Sequence, residues 1–174
     1  TWLTCEEFDR GRVFECDPRG KRAAVECPAL GTFKHEAVAV DPVSGHLFLT
    51  EDEPDGRLYR FTPDQWPNRE RPSLAAGRLE VAVLAAAPGR GPVDLRWVAV
   101  ADRDAADRPT REQVPASTAF DGGEGIWYHD GAVYFATKGD NRVWHLDPAA
   151  DRIEIVYERG ALEPAIADVD NVTV

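Results

Sequence analysis

The 174-residue sequence predicts an all-β protein, a partial β-propeller, on three observations. Similar hairpin-like segments recur along the chain, their spacing is that of propeller blades, and no stretch shows a convincing helical period. Each segment has an apolar strand, a polar turn with Asp and Gly or Asn, a second strand with an aromatic residue, and a closing proline. The segments are WLTCEEFDRGRVFECDP at 2–18, FLTEDEPDGRLYRFTP at 48–63 and YFATKGDNRVWHLDP at 134–148.

The spacing of these segments sets the predicted size of a blade. Thr4 and Thr50 are 46 residues apart, and Thr50 and Ala136 are 86 apart, which is two periods of 43. A further copy is therefore expected near 93–107, where VDLRWVAVADRD supplies an apolar, aromatic strand. Blades of about 43–46 residues predict about four blades here, so 1–174 is expected to be a single partial domain of a larger ring.

The segments between the repeats complete the predicted blades. Alternating apolar residues predict strands at KHEAVAVDP, GRLEVAVLAA and DRIEIVYE. The stretch 101–117, rich in Pro, Arg and Asp, is predicted to be a long exposed loop between blades. Aligning the repeats places Cys16 with Phe61 and Leu146, so it is expected to be a small buried residue.

The same alignment suggests where chemistry is concentrated. It places Cys5 at the position of Glu51, and Glu6 at the position of Asp52, at the ends of equivalent strands. Equivalent strand ends of a propeller converge on one face of the axis. Lys138 also aligns with Asp52, so its side chain is expected to point to that face.

Composition narrows the classes of partner. The chain has 20 basic and 31 acidic residues, a net charge of -11, which argues against nucleic acid and against an anionic membrane surface. No apolar run approaches the ~20 residues of a membrane span. The three cysteines are an odd number and do not indicate a disulfide framework, although a Cys16–Cys27 bridge remains open. Because the sequence contains no Met, we expect it to be part of a longer protein.

Acidic residues at predicted strand ends are candidate cation ligands. Glu36 follows His35 in GTFKHEAVAVD, Glu124 lies between glycines in FDGGEGIWY, and Asp170 precedes Asn171 in ADVDNVTV. Clustered carboxylates need compensating positive charge; oxygen ligands suit Ca²⁺ or Mg²⁺, and an added thiolate suits iron or zinc. Each acidic residue has a simpler explanation: Glu36 could be a solvated carboxylate, and Glu124 and Asp170 could belong to ordinary turns. His35 could either support the ligand Glu36 or lie on the surface.

Four segments resemble the PhoX-like alkaline phosphatase family. They are TWLTCEE, GTFKHEAVAVDPVSGHLFLTEDEPDGRLYRF, GEGIWYHDGAVYFATKGDNRVWHLDP and DNVTV, in the order found in that family. The resemblance implies a six-bladed β-propeller, a secreted or periplasmic protein, and a phosphomonoesterase with iron and calcium on the propeller axis. It implies an iron ligand at Cys5. The other implied metal ligands are Glu6, Glu36, Glu51, Asp52, Glu124 and Asp170, and Asn171 completes an Asp-Asn motif that we assign to the substrate.

The expected reaction is hydrolysis of a small phosphate monoester, with a metal-bound oxide or hydroxide rather than a side chain as the nucleophile. Two positions differ from the family's phosphatases: Phe8 replaces the Asn of their CEEN motif, and Gly122 replaces an arginine that grips phosphate. Lys138 is the candidate to supply the missing charge. The alternatives are a calcium-binding propeller without catalytic activity, or a hydrolase of another ester or lactone on the same face. Open strand edges would favour self-association.

Overall fold

Twelve strands and two short 3-10 helices form the regular structure of this computed structural model, in which residues 2–67, 71–160, 166 and 168–173 are described. The predicted all-β class is confirmed. The 3-10 helices are Pro28–Leu30 and Thr110–Glu112. The strands are β1 (Trp2–Cys5), β2 (Val13–Cys16), β3 (Val25–Glu26), β4 (His35–Val40), β5 (Leu47–Glu51), β6 (Leu58–Pro63), β7 (Gly77–Leu84), β8 (Val93–Ala99), β9 (Gly123–His129), β10 (Ala132–Thr137), β11 (Arg142–Asp147) and β12 (Arg152–Glu158).

The strands form two antiparallel sheets. The small sheet is β1-β2-β3, and the large sheet has nine strands in the order β4-β5-β6-β7-β8-β12-β11-β10-β9. Its first and last strands, β4 and β9, pack against each other, so the large sheet is nearly closed and barrel-like. Strand β1 of the small sheet also contacts β4, so the two sheets meet at this strand.

The three predicted hairpins are confirmed as β1–β2, β5–β6 and β10–β11. The strands predicted between the repeats are also present, as β4, β7 and β12. The copy expected near 93–107 is only half present. Strand β8 forms as predicted, but it pairs with β7 and, at its first two residues, with β12, and the described residues 100–122 contain no strand that could complete a hairpin with it.

The stretch 101–117 connects strands as a loop, as predicted, apart from the 3-10 helix Thr110–Glu112, but the expectation that it is exposed is wrong for part of it. Thr110 is 1% exposed, and its hydroxyl lies 3.0 Å from the hydroxyl of buried Tyr59. The neighbouring Arg111 forms ion pairs with Glu51 and Asp55. The loop therefore covers the β5–β6 hairpin, because polar side chains in both segments satisfy one another.

Strand register corrects the alignment of the first repeat by one residue. Cys5 pairs with Val13, as Thr50 pairs with Leu58, so Cys5 is equivalent to Thr50 and not to Glu51. Matching Thr4 with Thr50 led to the incorrect alignment. The two hairpins have turns of the same length when Cys5 is matched with Thr50 instead.

The backbone of the two turns confirms the corrected register. The Glu6 N–H donates to the Arg12 carbonyl at 2.9 Å, and the Glu51 N–H donates to the Arg57 carbonyl at 3.2 Å. Glu6 is therefore equivalent to Glu51. One residue further along, Glu7 is equivalent to Asp52.

The structure also tests the predictions for the burial of Cys16 and for a Cys16–Cys27 bridge. Phe61 and Leu146 are fully buried, but Cys16 at the equivalent position is only partly buried, so the expectation of a buried Cys16 is wrong. The small sheet has only three short strands, so it covers Cys16 less completely than the nine-stranded sheet covers Phe61 and Leu146. All three cysteines are free, and the Cys16–Cys27 bridge does not form. Among the described residues, no helix is long and apolar enough to cross a membrane.

Candidate metal centre

Five carboxylates gather where β1, β4, β5 and β9 meet the segment at 168–173. They form two groups, Glu7–Glu36–Asp52 and Glu36–Glu124–Asp170, and Glu36 belongs to both. Within each group, one oxygen of every residue lies within 4.8 Å of the others. This spacing allows a single cation to contact all three members of a group.

Glycines allow the backbones around Glu124 to approach closely, as the sequence indicated. The Gly125 N–H donates to the Asp170 carbonyl at 2.9 Å, and a Cβ on Gly125 would lie 2.5 Å from Asn171 Oδ1. The Thr50 hydroxyl donates to the Glu124 carbonyl at 2.7 Å and ties β5 to β9. The chain therefore brings Glu124 and Asp170 together by backbone contacts that a larger side chain would block.

Two lysines bind the carboxylates directly. Lys34 Nζ lies 2.7 Å from Asp52 Oδ2 and 3.5 Å from Glu7 Oε1. Lys138 Nζ lies 2.8 Å from Asp52 Oδ1 and 2.7 Å from Glu124 Oε1. Each oxygen of Asp52 therefore contacts a different ammonium group, and the expectation that Lys138 points to this face is confirmed.

The pKa values reflect crowding of negative charge. The pKa of Glu36 is raised to about 7, first by burial and then by the charges of Glu124, Glu7, Asp52 and Asp170. Burial also raises the pKa of Glu124 to about 7 against the opposing effect of a lysine. Burial alone would raise the pKa of Asp52, but hydrogen bonds from two lysines outweigh it and lower the pKa. The cluster is therefore short of positive charge.

Cys5 lies beside this cluster without joining either carboxylate group among the described residues. Burial, followed by the charge of Glu36, raises the pKa of its thiol to about 12. The thiol is therefore protonated at neutral pH unless a cation stabilises the thiolate.

His35 is a core residue, so the surface alternative is wrong. It is 0% exposed, its ring centroid lies 3.6 Å from that of Phe33, and its Nε2 lies 3.2 Å from the Gly31 carbonyl. Burial lowers its pKa to about 3, so the imidazole is neutral at neutral pH.

Glu51 and Glu6 point away from the carboxylate groups. Glu51 is fully buried and accepts hydrogen bonds from the Arg57 N–H at 3.0 Å and the Tyr59 hydroxyl at 2.9 Å. Burial raises its pKa to about 7 despite these donors. Glu6 likewise accepts the Arg12 N–H at 3.1 Å. Both carboxylates thus close the turns of their hairpins.

An open cavity of about 560 Å³ exposes the cluster to solvent. It is large enough for a small ligand. Lys138 and Asn171, both expected to face the substrate, line it beside the acids. The remaining lining residues are Glu7, Glu36, Glu124, Asp168, Val169 and Asp170.

The residues fit a hard divalent cation. Glu124 Oε1 is buried and, apart from its contact with Lys138, has no hydrogen-bond partner in the described part of the chain. Lys138 offsets the charge of this oxygen, but five carboxylates share only two lysines, so a bound cation would compensate the remaining negative charge. The donors are carboxylate oxygens, the ligands that Ca²⁺ prefers.

Sequence reasoning counts Glu7 among the acidic residues near strand ends but does not select it as a ligand, and it misses Lys34 altogether. Glu7 would have been found by aligning the repeats on turn length, since it then coincides with Asp52. Lys34 precedes the His-Glu pair of β4, and nothing in its local sequence indicates that it reaches a neighbouring hairpin.

The fold and site define a class: an all-β protein with an acidic pocket at its strand ends whose carboxylates are close enough together to hold a metal ion. More specifically, the chain belongs to the alkaline phosphatase PhoX family, whose model matches residues 3–159. That family is metal-dependent. The match includes every member of the cluster except Asp170. No curated protein and no solved structure shows significant similarity to the chain.

Proposed function

We propose that this protein is a metal-dependent hydrolase of phosphate monoesters. The observation that carries the proposal is the pair of carboxylate groups joined by Glu36, built mainly by strands of the family-matching region. The site has five carboxylates and two lysines, and four of the carboxylates, Glu7, Glu36, Glu124 and Asp170, line the open cavity.

The carboxylates of Glu7, Glu36, Asp52, Glu124 and Asp170 would hold calcium, and the Cys5 thiol beside Glu36 favours iron as a second metal. When bound, these ions supply positive charge that binds the phosphoryl oxygens and stabilises the charge developing during displacement.

We assign Glu6 and Glu51 to the hairpins instead of the metals. Each of these carboxylates already accepts the backbone N–H that closes its own turn. Moving either toward the cavity would leave that N–H without its acceptor.

The substrate-binding role goes to Lys138 and Asn171, whose side chains line the cavity. An ammonium and an amide both donate hydrogen bonds to phosphoryl oxygens. Gly122 has φ +67°, and a Cβ there would lie 2.8 Å from Lys138 Cγ. The stem of Lys138 thus runs over the position of the family's arginine, which favours Lys138 as its replacement.

We further propose that the sheets are blades of a six-bladed propeller, because three equivalent hairpins direct their turns to a common region and the inner strands β4 and β9 are neighbours. Members of the family are generally extracellular or periplasmic, and we propose that location here. Strands β1 and β3 are the edges of the small sheet, and self-association there would be detected by light scattering.

The test is hydrolysis of p-nitrophenyl phosphate by the full-length protein, stripped with a chelator and then supplied with calcium and iron. We expect turnover that requires the metals and that Glu124→Gln strongly reduces. A lactone and a carboxyl ester assayed in parallel test the other hydrolase classes. Calcium binding without any turnover would contradict the proposal and favour a non-catalytic calcium-binding protein, the candidate that Gly122 supports.

A further inference from the structure

Lysine is rare in this chain, and its placement is selective. The sequence has only three lysines, Lys21, Lys34 and Lys138, among 20 basic residues. Two of the three form ion pairs with the carboxylate cluster, whereas the ion pairs described for the arginines involve other acids. A lysine ammonium is a compact charge with three donors, so it resembles a small cation more closely than a planar guanidinium does.

Lys138 bridges the two carboxylate groups. Its ammonium lies 2.8 Å from Asp52, which belongs to one group, and 2.7 Å from Glu124, which belongs to the other. A divalent cation that contacted either acid on this side would occupy nearly the same space. The ammonium and the cation would also repel each other, so both cannot stay.

The side chain of Lys138 is free to leave. It is 49% exposed, its stem crosses Gly122 where there is no side chain to trap it, and it borders the cavity. Lys34 differs, because its side chain is 27% exposed and its own carbonyl accepts the Asp52 N–H at 3.1 Å. Both of its partners, Glu7 and Asp52, belong to the same group.

We propose that Lys138 is a tethered counter-ion: it competes with a divalent cation for Asp52 and Glu124, and the cation displaces it into the cavity, where it binds the anionic group of the substrate. The proposal rests on the metal centre and on the phosphate-binding role proposed above. It adds that cation binding releases the Lys138 ammonium, so the metal binds first and promotes binding of the substrate anion.

The first test is calcium binding by the full-length protein, measured by titration calorimetry without any substrate. Lys138→Met keeps the stem and removes the charge, and we expect its calcium affinity to rise about threefold to tenfold. Lys21→Met is the matched control, since Lys21 is exposed and lies outside the cluster, and its affinity should not change. An unchanged or weaker affinity in Lys138→Met, or no calcium binding by the wild type, would overturn the proposal.

The second test is binding of inorganic phosphate to the calcium-loaded protein. We expect Lys138→Met to bind phosphate about tenfold more weakly although it binds calcium more tightly. Loss of calcium and phosphate binding together, in a variant that keeps the circular dichroism spectrum of the wild type, would point to a purely structural lysine and overturn the proposal. Because neither test needs turnover, a protein that binds both ions but hydrolyses nothing would contradict the proposed function and leave this inference standing.

Discussion

Glu51 and Asp52 are adjacent in the chain, yet their carboxylates have separate partners and separate roles. Glu51 faces the core, where it accepts hydrogen bonds from Tyr59 and from the Arg57 backbone. Asp52 is 4% exposed and belongs to the carboxylate cluster, where Lys34 and Lys138 each contact one of its oxygens. Strand alternation at the end of β5 separates a residue that closes the turn from a residue that pairs with two lysines.

Replacing each of these neighbours by alanine should therefore give opposite results. Glu51→Ala removes the acceptor of the partly buried Arg57 N–H and one of the two partners of the Tyr59 hydroxyl, and we expect it to lower the free energy of unfolding by about 1–3 kcal/mol with little change in calcium affinity. Asp52→Ala should weaken calcium binding about tenfold or more, with a smaller effect on stability. Urea denaturation and calorimetry measure the two quantities. Weaker calcium binding in a fully folded Glu51→Ala would restore Glu51 as a ligand.

Glu36→Gln should have the largest effect on metal binding of any single carboxylate substitution. Glu36 is shared by both carboxylate groups, so its loss removes one ligand from each. We expect calcium affinity to fall at least about tenfold, because ligand charge count sets affinity at such sites. Glu112→Gln, at an exposed carboxylate in the loop 101–117, is the control and should bind calcium normally.

The stability of the metal-free protein should decrease as pH rises from about 4.5 to about 7. Glu36 and Glu124 have pKa values raised from 4.5 to about 7 in the folded protein, so the folded state binds more protons than the unfolded state in this window. Partial exposure of the site limits the loss to on the order of 1 kcal/mol per group. Urea denaturation in chelator at several pH values measures it, and Glu36→Gln should reduce the slope. Stability that rises over this window would contradict the crowding of charge.

Gly56→Ala should destabilise the hairpin that positions Asp52. A Cβ on Gly56 would lie 2.3 Å from the carbonyl oxygen of Glu51, which neither backbone can accommodate without moving. We expect a loss of about 2–3 kcal/mol in the free energy of unfolding, together with weaker calcium binding. Gly89→Ala is the matched control, because nothing lies within 4 Å of its Cβ position. Equal stability of the two variants would show that this turn is not as tight as described.

The sequence predicted local structure well and relative placement only in part. Period-two patterns and turn residues located the hairpins β1–β2, β5–β6 and β10–β11, because those signals depend on neighbouring residues. The pairing of β8 with β7 and β12 was missed, since an apolar strand carries no information about which edge it joins. The register of the first repeat was wrong by one residue for a related reason: the shared threonines at 4 and 50 resemble each other, but hydrogen bonding across the turn decides equivalence.

The sequence by itself determined that this chain is all-β, strongly acidic, and supplied with carboxylates at recurring strand ends. Only the tertiary structure decided that Glu7 joins Glu36 and Asp52 while Glu51 turns inward, and that Lys34 and Lys138 contact the same aspartate. The physical reason is that the period-two pattern of a strand shows which residues share a face, but it does not show which other strand that face contacts. The contacts between strands depend on strand register and on the packing of β4 against β9. The carboxylates and lysines form a site only because those contacts bring them together.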